Sequence, residues 1–136
     1  MISAVDSNIL LDFFNRDPEF GISARDALRA CAAEGRLLAC DVVCAEIAGC
    51  FPSLGLLHQA MDETGIEFSA LTLESTYEAG AAWRAYRARG GSRSRVIAGF
   101  LIGAHALCQA DRLLTRDRGF YRSHFRRLRL FDPSRT

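Results

Sequence analysis

The chain has 136 residues, 49% of them hydrophobic and 24% charged, with a formal net charge of +1 at pH 7. This length and composition are typical of one globular domain with a real core, so we expect a single domain over residues 1–136. No apolar run is long enough to cross a membrane, and the first residues do not show a basic segment followed by a long apolar stretch. We therefore expect a cytoplasmic protein with no membrane partner. Its five cysteines include no CxxC pair, which gives no support to a zinc knuckle or a thioredoxin-type site.

Short apolar runs alternate with helix-like segments along the whole chain. The runs predict buried strands over residues 2–6, 36–40, 66–70, 112–115 and 128–131. Helices are predicted over residues 9–14 with Ser7 and Asn8 as caps, 23–34, from a cap at Asp41 to an end at residues 51–52, 53–64, 73–89, 96–110 and 120–124. Strands that alternate with helices predict an α/β fold, with a mostly parallel sheet of four to five strands flanked by helices.

Two aspartates lie where predicted strands end. Asp6 closes the first apolar run, and Asp117 follows the fourth. Because ligands bind at the carboxyl edge of an open parallel sheet, we expect both side chains to face one crevice. Glu46 lies about one turn into the helix that leaves the second strand, so it can lean over the same edge. Each acid taken alone is also consistent with a helix cap or a solvated charge, and that is the interpretation we give to Asp12, Asp41 and Asp111.

Acids that converge on one crevice favour a bound cation. Closely packed carboxylates repel one another, and a divalent ion relieves that repulsion. Oxygen ligands without a His or Cys cluster favour Mg²⁺ or Mn²⁺ over zinc. Such an ion can activate a water for attack on a phosphodiester, so Asp6, Glu46 and Asp117 are the candidate metal ligands and catalytic residues.

Charge is unevenly distributed along the chain. Residues 1–83 contain 4 arginines and 13 acids, whereas residues 84–136 contain 13 arginines and 3 acids, and there is no lysine. A basic second half suggests a phosphate-bearing partner, and arginine suits bidentate phosphate contacts. The alternative is that the fold interleaves the two halves and neutralises them. Four arginines near the acids in sequence are the candidate phosphate contacts: Arg93, Arg95, Arg116 and Arg118.

Three segments resemble a known family. The opening motif is VDSNILLD over residues 5–12, and it resembles the start of PIN-domain nucleases. Two later segments resemble the second half of VapC-type toxins of toxin–antitoxin operons, FLIGAHA over residues 100–106 and LLTRDRGFY over 113–121. The resemblance runs from the first predicted strand to the last.

This resemblance implies a three-layer PIN-like fold and a Mg²⁺- or Mn²⁺-dependent endoribonuclease. For such an enzyme the four arginines named above are the candidate RNA contacts. It also implies a homodimer and a cognate antitoxin that covers the acidic pocket. Asp6, Glu46 and Asp117 match the family's metal-site acids. Asn8 and Thr115 match positions where a small polar residue holds the acids or a metal-bound water.

The chain departs from the family pattern at one position. An aspartate is expected immediately before residues 100–102, and this chain has Gly99 there. Glycine supplies no ligand, and no acid stands one helical turn away, where Arg95 and Gly103 lie. Loss of a direct ligand should lower metal affinity. It should also lower the catalytic rate by at least ~10–100-fold, which is the effect of losing a residue that only supports a ligand. We therefore expect catalysis to be impaired.

Two other functions remain open on the sequence. With Gly99 in place, the domain could act as a catalytically weak or inactive module that binds an antitoxin or RNA. A phosphotransfer domain of the receiver kind also uses a strand-end aspartate. A receiver domain requires paired acids after the first strand and a lysine near the end of the chain. This chain has no lysine.

Overall fold

A five-stranded sheet forms the centre of the computed structural model, which describes residues 1–92 and 97–133. The strands are β1 (Ile2–Val5), β2 (Arg36–Cys40), β3 (Ile66–Ser69), β4 (Arg112–Leu114) and β5 (Leu130–Phe131). They lie in the order β3-β2-β1-β4-β5, and every neighbouring pair is parallel. The α/β fold with a parallel sheet, predicted from the alternation of elements, is confirmed.

Helices fill every connection between the strands, as parallel pairing requires. Within the described residues they are α1 (Ser7–Phe14), α2 (Gly21–Glu34), α3 (Asp41–Ala48), α4 (Leu54–Thr64), α5 (Leu73–Ala88), α6 (Ala98–Gln109) and α7 (Arg118–His124). None of the helices in this part of the chain is long and apolar enough to cross a membrane. The predicted start of α6 at residue 96 lies outside the described residues.

Two helix caps differ from those predicted. Asp6 itself is the N-cap of α1, and its side chain accepts the N–H of Ser7, so Ser7 belongs to the first turn rather than to the cap. Cys40 is the N-cap of α3, and Asp41 lies in its first turn. The carboxylate of Asp41 instead accepts the backbone N–H of Leu71 at 3.4 Å. Of these two acids that follow strands, only Asp6 therefore caps the next helix.

The turn into β2 depends on a glycine. Gly35 has φ +157°, and a Cβ built on it would overlap the carbonyl oxygen of Met1. The missing side chain lets the Arg36 N–H donate to that same oxygen at 3.0 Å. The close approach begins the β1–β2 ladder, in which Ile2 is the register partner of Arg36.

The strand order creates a switch point between β1 and β4. The chain steps from β1 to β2 to β3 in one direction, and then α5 and α6 carry it back to β4 on the other side of β1. The Asp6 N–H donates to the carbonyl of Leu114 at 2.9 Å, which joins the two strand ends. Open α/β sheets bind ligands at such a point, beyond the carboxyl ends of the strands.

Candidate acid site at the carboxyl edge of the sheet

Asp6 is the centre of the site, because it is buried (4% exposed) and its carboxylate accepts several hydrogen bonds. Oδ1 accepts the N–H of Ser7 at 2.7 Å. Oδ2 accepts the hydroxyl of Thr115 at 2.8 Å and that of Tyr121 at 2.9 Å. The amide of Asn8 donates a longer bond to Oδ2 at 3.4 Å. These donors fix the carboxylate between the ends of β1 and β4.

Burial raises the pKa of Asp6 above its ordinary value. Hydrogen bonds from Thr115, Tyr121 and the Ser7 N–H act in the opposite direction, because they stabilise the ionised form. The negative charge of Glu46 adds to the effect of burial. The fold thus holds a carboxylate where its ionisation is opposed, and supports it with polar contacts.

Thr115 and Asn8 link this carboxylate to the loop after β4. The Thr115 hydroxyl oxygen accepts the N–H of Asp117 at 3.0 Å and the Asn8 amide at 3.4 Å. The Asn8 side-chain oxygen accepts the N–H of Arg116 at 3.4 Å. Both residues therefore lie where the family resemblance places small polar residues, in contact with the first acid.

Glu46 and Asp117 come to the same edge of the sheet, but both are exposed. Their common neighbour is the hydroxyl of Tyr121. Its pKa lies far above the ordinary value because of burial first, then the charge and hydrogen bond of Asp6, then the charges of Asp117 and Glu46. Across residues 1–92 and 97–133, however, no three His, Cys, Asp or Glu side chains form a group that could hold a metal ion. The three acids share one region without forming a common coordination sphere.

An aromatic ring fills the place of a side chain at position 99. Gly99 lies in the first turn of α6, and a Cβ built on it would stand 2.8 and 2.9 Å from Cε1 and Cζ of Phe120. The Phe120 ring is nearly buried at 9% exposed, and it packs on Phe100, Tyr121 and His124 with ring centroids 5.1, 5.0 and 4.8 Å apart. The space that a fourth carboxylate would need is therefore occupied.

Two residues of this site, Phe120 and Tyr121, were not assigned a role from the sequence. Both lie on α7, the helix that follows Asp117. Tyr121 stands four residues after Asp117, a spacing that places side chains on one helix face. That spacing was a usable signal for Tyr121. No local pattern indicates that Phe120 meets Gly99, since the contact joins two different helices.

Arg116, one of the predicted RNA contacts, is partly exposed but already bound to another residue of the chain. Its guanidinium makes two hydrogen bonds to Asp12, at 2.7 and 3.1 Å, and lies 4.1 Å from the ring centroid of Phe20. Asp12 is buried at 6% exposed, so it is neither a helix cap nor a solvated charge. The pair ties α1 to the loop between β4 and α7.

Arg118 is engaged in the same way, in an ion pair with Asp132 at 2.8 Å, and the Asp132 side chain is only 6% exposed. Arg93 and Arg95, the other two predicted RNA contacts, lie outside the described residues. The RNA contacts therefore stay a prediction, and the two arginines that the structure describes already have carboxylate partners.

The residues as packed do not fit a divalent cation. A carboxylate oxygen has about two lone-pair sites. The Thr115 and Tyr121 hydroxyls, with the Asn8 amide at a longer distance, use the sites of Asp6 Oδ2, and the Ser7 N–H takes one of Oδ1. The fourth acid is absent, and Phe120 occupies its place. No catalytic step through a metal can be derived from this arrangement.

The fold and site define a known class of protein. The PIN domain family model matches residues 4–125, which is most of the chain. The chain therefore belongs to the PIN domain family, whose members are generally nucleases, and the resemblance inferred from the motifs is confirmed. No curated protein matches it.

Solved structures with a similar fold include proteins named VapBC and FitAcB. VapBC2 from Rickettsia felis, bound to a DNA fragment from its promoter, aligns with a TM-score of 0.74 and 18% identity over 97% of this chain and 98% of that one. VapBC-1 from nontypeable Haemophilus influenzae aligns with a TM-score of 0.73 and 17% identity over 99% of this chain and 100% of that one. FitAcB from Neisseria gonorrhoeae aligns with a TM-score of 0.71 and 17% identity over the full length of both chains. At these identities the likeness shows the fold.

Proposed function

We propose that this chain is an endoribonuclease of the VapC toxin type in which RNA cleavage is impaired at position 99. The nuclease class rests on the family match over residues 4–125. The toxin type rests on the motifs at residues 5–12, 100–106 and 113–121, and on a fold shared with VapBC and FitAcB structures. Mg²⁺ or Mn²⁺ is the cofactor proposed for the unimpaired site.

One observation carries this proposal. Asp6, Glu46 and Asp117 come from three separate elements, and their charges all act on the Tyr121 hydroxyl at the switch point of the sheet. A purely structural role does not require three acids there, because like charges oppose one another's ionisation. The acids are best explained as what remains of a site built to be neutralised by a cation.

A binding module without catalysis is the second candidate. The hydrogen bonds on Asp6 and the Phe120 ring beside Gly99 favour it, since both oppose coordination of an ion. Under this alternative the domain binds its antitoxin or an RNA and cleaves nothing. The two candidates share a fold and partners, and they differ only in what happens when the fourth acid is restored.

The test is RNA cleavage by the wild-type chain and by the Gly99→Asp variant, in Mn²⁺ and on the same RNA pool. We expect the variant to cleave and the wild-type chain to be at least ~10–100-fold slower, as expected from loss of a ligand. The double variant Gly99→Asp with Asp6→Asn is the matched control and should be inactive. Cleavage by neither the wild-type chain nor Gly99→Asp would contradict the nuclease proposal.

A cognate antitoxin and a homodimer are the proposed protein partners. The antitoxin is supported by the resemblance of the motifs to VapC-type toxins and by the fold shared with VapBC and FitAcB structures. For the homodimer, α5 offers an apolar surface in which Leu73 is 86% exposed and Tyr77, one turn further, is 69% exposed. Apolar side chains this exposed and this close together mark a contact surface.

Substitution on α5 tests the homodimer. We expect the wild-type chain to elute with twice the mass of one chain in size-exclusion chromatography with light scattering, and Tyr77→Asp to elute with the mass of one. Leu54→Asp is the matched control, because Leu54 is 70% exposed on a different helix, α4. A wild-type chain that is monomeric at all concentrations would show the homodimer proposal to be wrong.

A further inference from the structure

We infer that α7 closes the acid site in this chain, with the Phe120 ring in the place of the fourth carboxylate and the Tyr121 hydroxyl on Asp6. So closed, the site takes no divalent cation until that ring is displaced. The inference rests on the proposed function, because the fourth acid is expected only from the PIN pattern. It goes further by assigning the closure to two residues of one helix.

The first argument is steric. Contacts of a real Cβ at 2.8–2.9 Å from aromatic carbons essentially do not occur, so any residue other than glycine at position 99 requires Phe120 to move. The ring is not free to move without loss, because Phe100, Tyr121 and His124 surround it. Phe100 is itself fully buried and packs on Trp83. Gly99 and Phe120 are therefore energetically coupled.

The second argument concerns the ligand. Tyr121 is 2% exposed, and its hydroxyl donates to Asp6 Oδ2 at 2.9 Å, so it occupies an acceptor site of that oxygen that an ion would otherwise use. Phe120 and Tyr121, adjacent residues of α7, thus block the site both beside Gly99 and at Asp6. Movement of α7 that withdraws Phe120 would also loosen the Tyr121 contact. Metal binding and ring displacement should therefore occur together.

A double-substitution cycle tests the steric part without any metal. Alanine is ordinarily better than glycine inside a helix, so Gly99→Ala should raise the thermal midpoint if the space were open. We expect the opposite: Gly99→Ala lowers the midpoint when Phe120 is present, and raises it by a few degrees, about 2–5 °C, when Phe120 is alanine. Gly80→Ala is the matched control, since no atom lies within 4 Å of a Cβ built there, and it should raise the midpoint in both backgrounds.

The cycle has an outcome that overturns the closure. If Gly99→Ala raises the midpoint equally with Phe120 present and absent, the ring does not occupy the position and the inference is wrong. Folding of each variant is checked by circular dichroism. Should Phe120→Ala fail to fold, Phe120→Leu replaces it, because leucine keeps apolar contacts while removing the ring atoms that meet position 99.

Mn²⁺ titration by calorimetry tests the ligand part, with the metal alone as probe. We expect no saturable binding to the wild-type chain or to Gly99→Ala, and binding of one or more ions to Gly99→Asp that is lost when Asp6→Asn is added. Saturable binding to the wild-type chain that disappears in Asp6→Asn would overturn the inference. Such binding would leave the proposed function standing, whereas Mn²⁺ binding by Gly99→Asp without any RNA cleavage would count against the proposed function alone.

Discussion

Asp6 combines two roles that usually belong to different residues. It ends β1 at the switch point of the sheet, and it caps α1 by accepting the Ser7 N–H. Its burial raises its pKa, while hydroxyls from Thr115 and Tyr121 support its ionised form. A carboxylate held in this way is costly to ionise in the folded state, and that cost should be visible in the dependence of stability on pH.

The sign of the dependence follows from the raised pKa of Asp6. The folded state binds the proton more tightly than the unfolded state, so the contribution of Asp6 to stability is most favourable below its ordinary pKa of 3.8. That contribution declines as the pH rises through 3.8 and toward the higher folded-state pKa. In Asp6→Asn this decline should be absent. We therefore expect the free energy of unfolding of the variant, minus that of the wild-type chain, to grow with pH.

Urea unfolding from pH 4 to pH 7 in the presence of a chelator measures this difference. The other titrating groups are common to both proteins and largely cancel in it. A difference that is constant over this pH range, or that falls as the pH rises, would contradict the raised pKa of Asp6.

The sequence located the polar residues of the site more readily than its aromatic ones. Asp6 was located because it follows an apolar run that predicts a strand, whereas Asn8 and Thr115 were located by their match to the family motifs. The bond from Tyr121 to Asp6 spans 115 positions of the chain, and it depends on how α7 docks. The meeting of Phe120 with Gly99 depends on the same docking, so the sequence indicated that an acid was missing without indicating what replaced it.

At the scale of elements, the loop between β4 and α7 is fastened to α1. Arg116 makes its two hydrogen bonds to Asp12, whose side chain is 8% exposed, and stacks over Phe20. Surface ion pairs contribute little, but removing one partner of a pair that is partly buried leaves a charge without its counter-ion. The loop carries Asp117 into the site, so this pair helps to position the third acid.

Alanine substitution measures the contribution of the pair. We expect Asp12→Ala to lower the free energy of unfolding by about 1–3 kcal/mol, because a charge-assisted, two-bond contact is lost from a buried position. Asp26→Ala is the matched control. Asp26 is also an acid within a helix, but its pair with Arg25 is exposed on both sides, and we expect a change within about 0.5 kcal/mol. Equal effects of the two substitutions would show that the Asp12 pair does not fasten the loop.

The bounds of an element were predicted well where its apolar pattern agrees with the residues that end or begin the neighbouring helices. β2 was predicted with its observed bounds, Arg36–Cys40, because a helix-ending glycine precedes it and an acid follows it. The last strand was predicted over residues 128–131 and is Leu130–Phe131. Its shortness reflects pairing with β4 alone at the edge of the sheet, and an apolar run in the sequence does not reveal how many of its residues find a partner.

At the scale of the whole molecule, the two halves of opposite charge meet within the fold. Ion pairs join Arg116 to Asp12 and Arg112 to Glu34, each linking the basic second half to the acidic first half. The interleaving alternative is therefore correct for part of the charge. It lowers the number of arginines available for a phosphate-bearing partner, and it explains why charge asymmetry along a sequence is a weak guide to nucleic-acid binding.

The whole molecule has the PIN fold, and position 99 is where the chain departs from the pattern of acids expected for the family. The central claim is that this position decides whether Asp6, Glu46 and Asp117 can share an ion. Anomalous diffraction from Mn²⁺-soaked crystals of the wild-type chain and of Gly99→Asp tests the claim most directly. We predict a manganese peak on Asp6 in the variant, with the Phe120 ring displaced, and no peak there in the wild-type chain. A peak at Asp6 in the wild-type crystals, or none in the variant, would contradict it.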